Sequence, residues 1–361
     1  MKSTGMVKRL LLQGPAWVYD IGVRLRIAAY ETGYLKPKRL DAAVISVGNI
    51  TLGGTGKTPL VDYIARYLSK EGYSVAILTR GYGRRSKGQL VLNGDVNRRG
   101  AADDSSVEWS YGATGDEPLL LARSLPEVPV VVNKNRVEGG RWAARRLGSQ
   151  VLILDDGYQH LRLARDLNLL VLDATDPFGG FRMAPFGRLR EPLYAIKRAD
   201  AVIVTRAHRP FDQAQLSSVL KYSCGDRIPI IYVYSAITGL RHLESGSVYN
   251  ADEFTGWNAW VMCGIGNPRA FVDDITGIGV GVVGESFFRD HYEYAQDDMA
   301  RVTAQARAAG ADLIVTTEKD AVRLQGLKLP DVPVYAAQLE VQSDDEVRLK
   351  SLLLRKLAVK R

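Results

Sequence analysis

From Asp41 onward the chain alternates short apolar runs with stretches of helical periodicity. The runs Ala43–Val47, Val75–Leu78, Val128–Val132, Val151–Leu154, Leu169–Leu172 and Ala201–Val204 are rich in Val, Ile and Leu. Continuous apolar runs of this length are what strands buried on both faces of a parallel sheet look like. Helices are expected between them at Thr58–Lys70, Glu117–Leu125, Val137–Leu147 and Gln213–Lys221. The alternation predicts an α/β fold, a mostly parallel sheet with helices on both faces. A second, smaller α/β unit is expected after Ser235, with strands at Trp260–Cys263 and Leu313–Val315 and a helix near Asp298–Ala308. Ile231–Leu240 and Val334–Val341 are extended in character and suit a two-strand linker. The expected division is a segment over 1–40, a larger domain over 41–235 and a smaller one over 236–361.

The first segment has its own pattern. Val7, Leu11, Val18, Ile21, Leu25 and Ala28 recur at helical spacing, with Trp17, Tyr19 and Tyr30 within or beside the stripe. Lys8, Arg9, Arg24 and Arg26 are interspersed, and Lys36, Lys38 and Arg39 follow. The longest uncharged run, Leu10 to Tyr19, is shorter than the roughly 18–20 residues that span a bilayer, and Pro15 is expected to interrupt it. Nor does a small-residue cleavage site follow, as a signal peptide requires. Two readings remain: a helix lying in a membrane interface, or one packing its stripe on the domain.

The 361 residues are 46% hydrophobic and 24% charged, close to globular averages, so a packed core is expected. A net charge of +8 suits an anionic partner without choosing among nucleic acid, phospholipid and a phosphorylated substrate. Cys224 and Cys263 are far apart and have no second pair. They suggest neither a disulfide framework nor a zinc site, and a reducing compartment is the default.

The strand ending at Val47 leads into Gly48-Asn49-Ile50-Thr51-Leu52-Gly53-Gly54-Thr55-Gly56-Lys57-Thr58, and a helix follows. This is the strand–loop–helix setting of a phosphate-binding loop. Gly53, Gly54, Thr55 and Gly56 would wrap backbone N–H groups around phosphate oxygens, with the helix N-terminus adding positive potential. Lys57 would reach the β- and γ-phosphates, and the Thr58 hydroxyl would ligate Mg²⁺. The generic pattern wants glycine at position 51, where this chain has Thr51. Val151–Leu154 runs into Asp155-Asp156-Gly157-Tyr158-Gln159-His160. An acid at the carboxyl end of a buried strand is where such enzymes hold magnesium, so Asp155 or Asp156 fits, although Asp also caps helices. Asn133-Lys134-Asn135-Arg136 begins like a guanine-recognition motif but has Arg136 in place of the acid that pairs with guanine. Adenine is therefore favoured, and ATP with Mg²⁺ is the expected cofactor pair.

With these pieces in order the sequence resembles the tetraacyldisaccharide 4'-kinase family, the lipid A 4'-kinases of Gram-negative bacteria. The segments that carry the resemblance are Gly53–Pro59, Arg80-Gly81-Tyr82-Gly83-Arg84, Gly115-Asp116-Glu117-Pro118, Asp155–His160, Leu189-Arg190-Glu191-Pro192, Gly264-Ile265-Gly266-Asn267-Pro268, Asp290-His291-Tyr292 and Thr316-Thr317-Glu318-Lys319-Asp320. Thr51 is also in keeping with this family. The resemblance implies transfer of the γ-phosphate of ATP to the 4'-hydroxyl of a tetraacylated disaccharide 1-phosphate. It further implies a monotopic enzyme on the cytoplasmic face of the inner membrane, with domain 41–235 as the nucleotide-binding kinase domain and no protein partner.

Asp116 stands where the family's catalytic Asp falls and is assigned as base, with His291 of the other domain orienting or assisting it; closure would then assemble the pair. Asp116 also suits a helix N-cap, and a lone His is often a structural hydrogen-bonder. Asp155, Asp156 and Glu191 are candidates for magnesium and its surroundings, with Gln159 nearby. Arg80, Arg84 and Arg190 could hold anionic groups on nucleotide or lipid. Two other classes compete: a P-loop kinase or ligase acting on a soluble small molecule, and a nucleic-acid-binding ATPase. The second would need a basic groove with stacking aromatics, whereas Lys and Arg are spread along this chain.

Overall fold

A computed structural model of the protein describes residues 3–92, 114–225 and 228–358, with side chains described from residue 17 in the first helix. The chain forms two compact units. The first comprises 1–80, 133–234 and 343–361, the second 81–132 and 235–342. This differs from a single division at 235. The stretch 81–132, expected in the nucleotide-binding domain, belongs to the second unit, and the C-terminal helix belongs to the first.

In the first unit, six strands run parallel in the spatial order β2-β5-β1-β6-β7-β8. They are β1 (Ala43–Gly48), β2 (Val75–Thr79), β5 (Val151–Asp155), β6 (Leu167–Asp173), β7 (Ala201–Thr205) and β8 (Ile230–Tyr232). Strands β1, β2, β5, β6 and β7 are buried at every residue, as their unbroken apolar runs require. The helices here are α1 (Ser3–Glu31), α2 (Lys57–Lys70), α4 (Arg136–Arg146), α5 (Gln213–Cys224) and α9 (Glu346–Ala358). In α2, Leu60, Val61, Ile64, Ala65 and Leu68 form the buried stripe.

The register sets the site. Val47 pairs with Asp155, so the strand before the phosphate-binding loop and the strand carrying the acid end side by side. Gly48 lets β1 approach the next segment closely. A Cβ there would stand 2.5 Å from the Tyr158 backbone nitrogen. Tyr158 is itself fully buried, and its hydroxyl donates to the Ala195 carbonyl at 2.7 Å.

Helix α1 is continuous from Ser3 to Glu31 and runs through Pro15, because a proline removes one ladder hydrogen bond without obliging a helix of this length to stop. Ile27 is buried with Leu161 and Ala195, and Val23 and Tyr30 pack beside it. The expected stripe lies elsewhere on the helix: Val18, Ile21 and Leu25 are 72%, 48% and 66% exposed, with Trp17 at 70%. The side chains of Val7, Lys8, Arg9 and Leu11 lie outside the described residues. No helix among the described residues is long and apolar enough to cross a membrane.

The second unit contains the sheet β10-β9-β14-β13-β11-β12, comprising β9 (Tyr234–His242), β10 (Val248–Asn250), β11 (Asn258–Cys263), β12 (Gly281–Phe287), β13 (Leu313–Thr317) and β14 (Val334–Gln342). β9 and β14 are neighbours in this sheet, and the segment 235–342 starts in β9 and ends with β14. Helices α3 (Asp116–Ser124), α6 (Pro268–Gly277), α7 (Gln296–Ala308) and α8 (Glu318–Arg323) and the antiparallel pair β3 (Leu90–Leu92) and β4 (Val130–Val132) complete it. Its core gathers Val261, Cys263, Phe271, Ile275 and Val315 on one side, and Met262, Met299, Val302 and Ile314 on the other.

Gly48→Ala is expected to destabilise the protein by about 1–3 kcal/mol through overpacking against Tyr158, read as a lower urea midpoint. An unchanged midpoint would contradict the close approach.

Candidate active site

On the first unit the loop between β1 and α2 is shaped by its glycines and fastened by side chains. Gly53 and Gly56 adopt φ of 109° and 74°, which the absence of a Cβ permits. Side chains fix the loop from behind. Asn49 donates from Nδ2 to Thr55 Oγ1 at 3.1 Å, and the Thr205 hydroxyl donates to the Thr55 carbonyl at 2.9 Å. Arg206 donates to the Gly54 carbonyl at 3.2 Å and is held by Asp173.

Thr51 explains its own departure from the generic pattern. It is 3% exposed and pairs in an antiparallel bridge with Leu189, flanked by Leu52 N to Arg188 O at 2.6 Å and Arg190 N to Ile50 O at 2.7 Å. Extended backbone with no positive φ makes no demand for glycine, and a β-branched residue fits it.

Lys57 opens α2 and lies 3.5 Å from Asp156, which also takes a forked contact from Arg190 at 2.8–3.0 Å. Asp156 sits at φ 51°. Burial alone would raise its carboxyl, but Lys57 and Arg190 outweigh burial and bring it down to about 2. The buried Arg136, found where a guanine-binding acid would stand, adds to the positive field at both Asp155 and Asp156. Asp155 is buried at the end of β5. Gln159 donates to the Asn49 carbonyl at 2.8 Å and so braces the loop start.

Two expected anion or metal contacts are otherwise engaged. Glu191 is 3% exposed and bound to Arg198, which lies over the Tyr158 ring, so its carboxylate serves a buried pair rather than a metal. Arg84, in the second unit, donates to the Val132 and Gly88 carbonyls and closes its own loop. Arg80 is exposed just beyond β2. Among the described residues no group of three or more His, Cys, Asp or Glu side chains is placed to hold a metal.

The second unit gathers the other expected residues. Asp116 and His291 lie in this one unit, not in two domains as expected, because the stretch 81–132 groups with 235–342. Gly115 at φ 86° turns the chain into α3 and leaves Asp116 at its first position, where the helix N-terminus favours a carboxylate. Asp116 Oδ2 is 2.9 Å from His291 Nδ1. The same oxygen accepts from Arg323 Nη2 and lies 3.6 Å from Lys319 Nζ. His291 has φ 60°, a region His tolerates better than most residues. Its ring is tilted against Tyr82 at 6.0 Å, and about a third of the side chain is exposed.

Lys319 and Arg323 were not assigned roles from the sequence, although Lys319 belongs to a quoted motif. Their spacing of four places both on one face of α8, the only signal available beforehand. Asn49, Thr205 and Arg206 were also missed, since nothing in a sequence shows that they converge on the loop.

Residues 8–358 match the family model described as Tetraacyldisaccharide-1-P 4'-kinase. The chain belongs to that family. The tetraacyldisaccharide 4'-kinase of Geobacter sulfurreducens is 38% identical over 98% of this chain and 95% of its own length. That of Geobacter metallireducens is 38% identical over 93% and 94%. LpxK from Aquifex aeolicus, a crystal structure in complex with ATP, superposes with a TM-score of 0.73 at 31% identity, covering 97% of this chain and 99% of that one. The protein is therefore a kinase of lipid A biosynthesis acting on a tetraacyldisaccharide 1-phosphate, and the soluble-acceptor alternative falls away.

Electrostatics in the second unit carry a stability consequence. Burial alone would raise the Asp116 carboxyl, but the His291 hydrogen bond, the Lys319 charge and the Arg323 contact hold it well below the usual carboxylate range. A value lower in the folded state means that the unfolded chain binds more protons in acid. The stability from this cluster is thus complete above the ordinary value of 3.8 and is lost as pH falls below it. The stability gap between the wild type and Asp116→Asn, measured by urea denaturation, should narrow as pH drops below about 4. A gap that stays constant down to pH 3 would contradict the assignment.

Proposed function

We propose that the two clusters divide the 4'-kinase reaction between them, the first unit holding ATP and the second serving the substrate hydroxyl. The Asp116–His291 contact carries this reading. It joins an anionic carboxylate to an imidazole whose other nitrogen, 3.9 Å from Asp290 Oδ2, is beyond hydrogen-bond distance of that group and can serve the substrate, the arrangement by which a carboxylate orients a general base.

The loop Gly53–Gly56 and the N-terminus of α2 suit the β- and γ-phosphates, with Lys57 as their cation. The Thr58 hydroxyl and the Asp155 carboxylate are hard oxygen donors at the ends of neighbouring elements, which suits Mg²⁺. One or two carboxylates with phosphates and water are what Mg²⁺ ordinarily uses, so the lack of a larger acidic cluster among the described residues fits this ion. When bound, Mg²⁺ would neutralise charge developing on the phosphates. Asp156 stays anionic between Lys57 and Arg190 and orients both.

At the acceptor, the 4'-hydroxyl gives its proton to His291 Nε2 as its oxygen bonds to the γ-phosphorus. The bond from that phosphorus to the β-phosphate oxygen breaks, and ADP leaves. This reverses the roles expected from sequence. Asp116 Oδ2 already accepts from His291 and Arg323, so the carboxylate is a weak proton acceptor and acts as the orienting anion.

Trp17, Val18, Ile21 and Leu25 form an exposed apolar stripe with Arg24, Arg26, Lys36, Lys38 and Arg39 exposed around it. That combination supports an interfacial position on a membrane bearing anionic lipid. Tyr19, on the same helix, donates to the Arg190 carbonyl at 3.1 Å, which ties the stripe to the phosphate-binding region.

His291→Ala and Asp116→Ala should each lower transfer of label from γ-labelled ATP to tetraacyldisaccharide 1-phosphate by about 10²-fold or more. Lys57→Ala should cost about 10²–10³-fold. Folded variants with near-normal rates would remove the corresponding role. Replacing Trp17, Val18, Ile21 and Leu25 by Ser should abolish flotation with anionic vesicles, and retained flotation would exclude the stripe as the membrane contact.

A further inference from the structure

Asp116 is held by more than its dyad partner, and the additional contacts form a buried chain. Arg323 has no exposed side-chain surface. Its Nη1 donates to the Gly264 carbonyl and to Asp320 Oδ1, both at 3.0 Å, while Nη2 donates to Asp116 and lies 3.5 Å from His291 Nδ1. Asp320 is equally buried. It accepts from Gly264 N at 3.1 Å, from the Thr317 hydroxyl at 2.7 Å and from the Tyr294 hydroxyl at 3.0 Å. Gly264 is therefore gripped at both its N–H and its carbonyl. A Cβ there would lie 3.0–3.2 Å from the Tyr294 hydroxyl, the Arg289 carbonyl and Asp320.

A merely structural ion pair would end at Asp320. Removing a buried guanidinium from water is costly and needs full hydrogen bonding in return. Here the group spends its second Nη on a carboxylate next to a solvent-accessible imidazole. Lys319, one turn earlier on α8, reaches the same carboxylate oxygen and Asp290 Oδ1 at 3.1 Å. The charged groups around Asp116 are thus His291 and Asp290 from the loop after β12, Lys319 and Arg323 from α8, and Glu117, which follows it on α3. Asp320 and, through it, Tyr294 face Arg323 from behind.

We propose that Arg323 is a positioning residue for phosphoryl transfer: it fixes the Asp116 carboxylate and keeps it anionic, so that the Asp116–His291 pair presents one proton acceptor to the 4'-hydroxyl. Arg323 itself touches neither substrate nor phosphate. The inference rests on the dyad reading above, and it extends that reading to a residue outside every motif that carried the family resemblance.

Arg323 is one of the contacts that hold the Asp116 carboxyl below the usual carboxylate range, so taking its charge away makes protonation at the site easier and moves the acid limb of the rate profile to higher pH.

The test uses the full chain in mixed micelles with γ-labelled ATP, Mg²⁺ and tetraacyldisaccharide 1-phosphate, with kcat, KM and thermal melting followed across pH 5 to 9. Arg323→Met should lower kcat at neutral pH by about tenfold and shift the acid limb up by about one pH unit, with KM for both substrates little changed. Arg323→Lys, which keeps the charge but cannot make all three contacts, should restore the limb and only part of kcat. Where the Met variant melts too low to assay, Arg323→Gln removes the charge, keeps a donor for Gly264 and carries the same prediction. A folded, uncharged variant with the wild-type acid limb would overturn the inference, whatever its melting temperature. Retention of full activity by His291→Ala would instead remove the dyad reading on which it rests, so the two failures are distinguishable.

Discussion

One carboxylate oxygen organises the charged cluster of the second unit. Asp116 Oδ2 receives a histidine, an arginine and the field of a lysine, and each of those partners is delivered by a different piece of local structure. A positive-φ glycine starts α3 and places the carboxylate at a helix N-terminus. A positive-φ histidine turns its ring back toward it. A six-residue helix, capped by the Thr317 side chain, brings Lys319 and Arg323 to the same face. Removing any one of these supports leaves a buried charge short of its partners, which costs far more than an ordinary surface ion pair.

The nucleotide side solves the opposite problem. There backbone donors and a cation must serve phosphate, and the loop that carries them is fastened from behind. Asn49, Thr205 and Arg206 hold its outer turns, and the bridge to Leu189 holds its first half. Asp156 pairs with both Lys57 and Arg190. Both units thus rely on preorganised charge, which is what phosphoryl transfer chiefly asks of a protein.

Much of this was readable in the chain because the signals were local. Unbroken Val, Ile and Leu runs became strands buried throughout, and the glycine-rich loop stood between a strand and a helix. Asp116 and His291 were identifiable as a pair. The proposed direction of action, with Asp116 as the orienting anion, was not, because the Arg323 contact comes from 207 residues away in sequence. The division at 235 is present, but 81–132 and 343–361 each fall in the other unit than expected: apolar periodicity marks an element but not the compact unit it packs with, and Val130–Val132 looks like any other buried strand. Glu191 and Arg84 carried a charge of the right kind within the right motifs, yet their partners Arg198, Val132 and Gly88 are set by tertiary structure. On α1 the periodic stripe was real. The face packed on the protein is the one through Val23, Ile27 and Tyr30, which leaves Val18, Ile21 and Leu25 of the stripe exposed.

The most direct test of the central claim is the tautomer of His291, read by two-bond ¹H–¹⁵N correlation NMR of the full chain labelled at its histidines, with His291→Ala providing the assignment. With Asp116 as the orienting anion, the neutral ring carries its proton on Nδ1 and keeps the Nε2 lone pair for the substrate hydroxyl. A neutral ring protonated on Nε2 would contradict the account, because the nitrogen meant to accept the proton would already hold one.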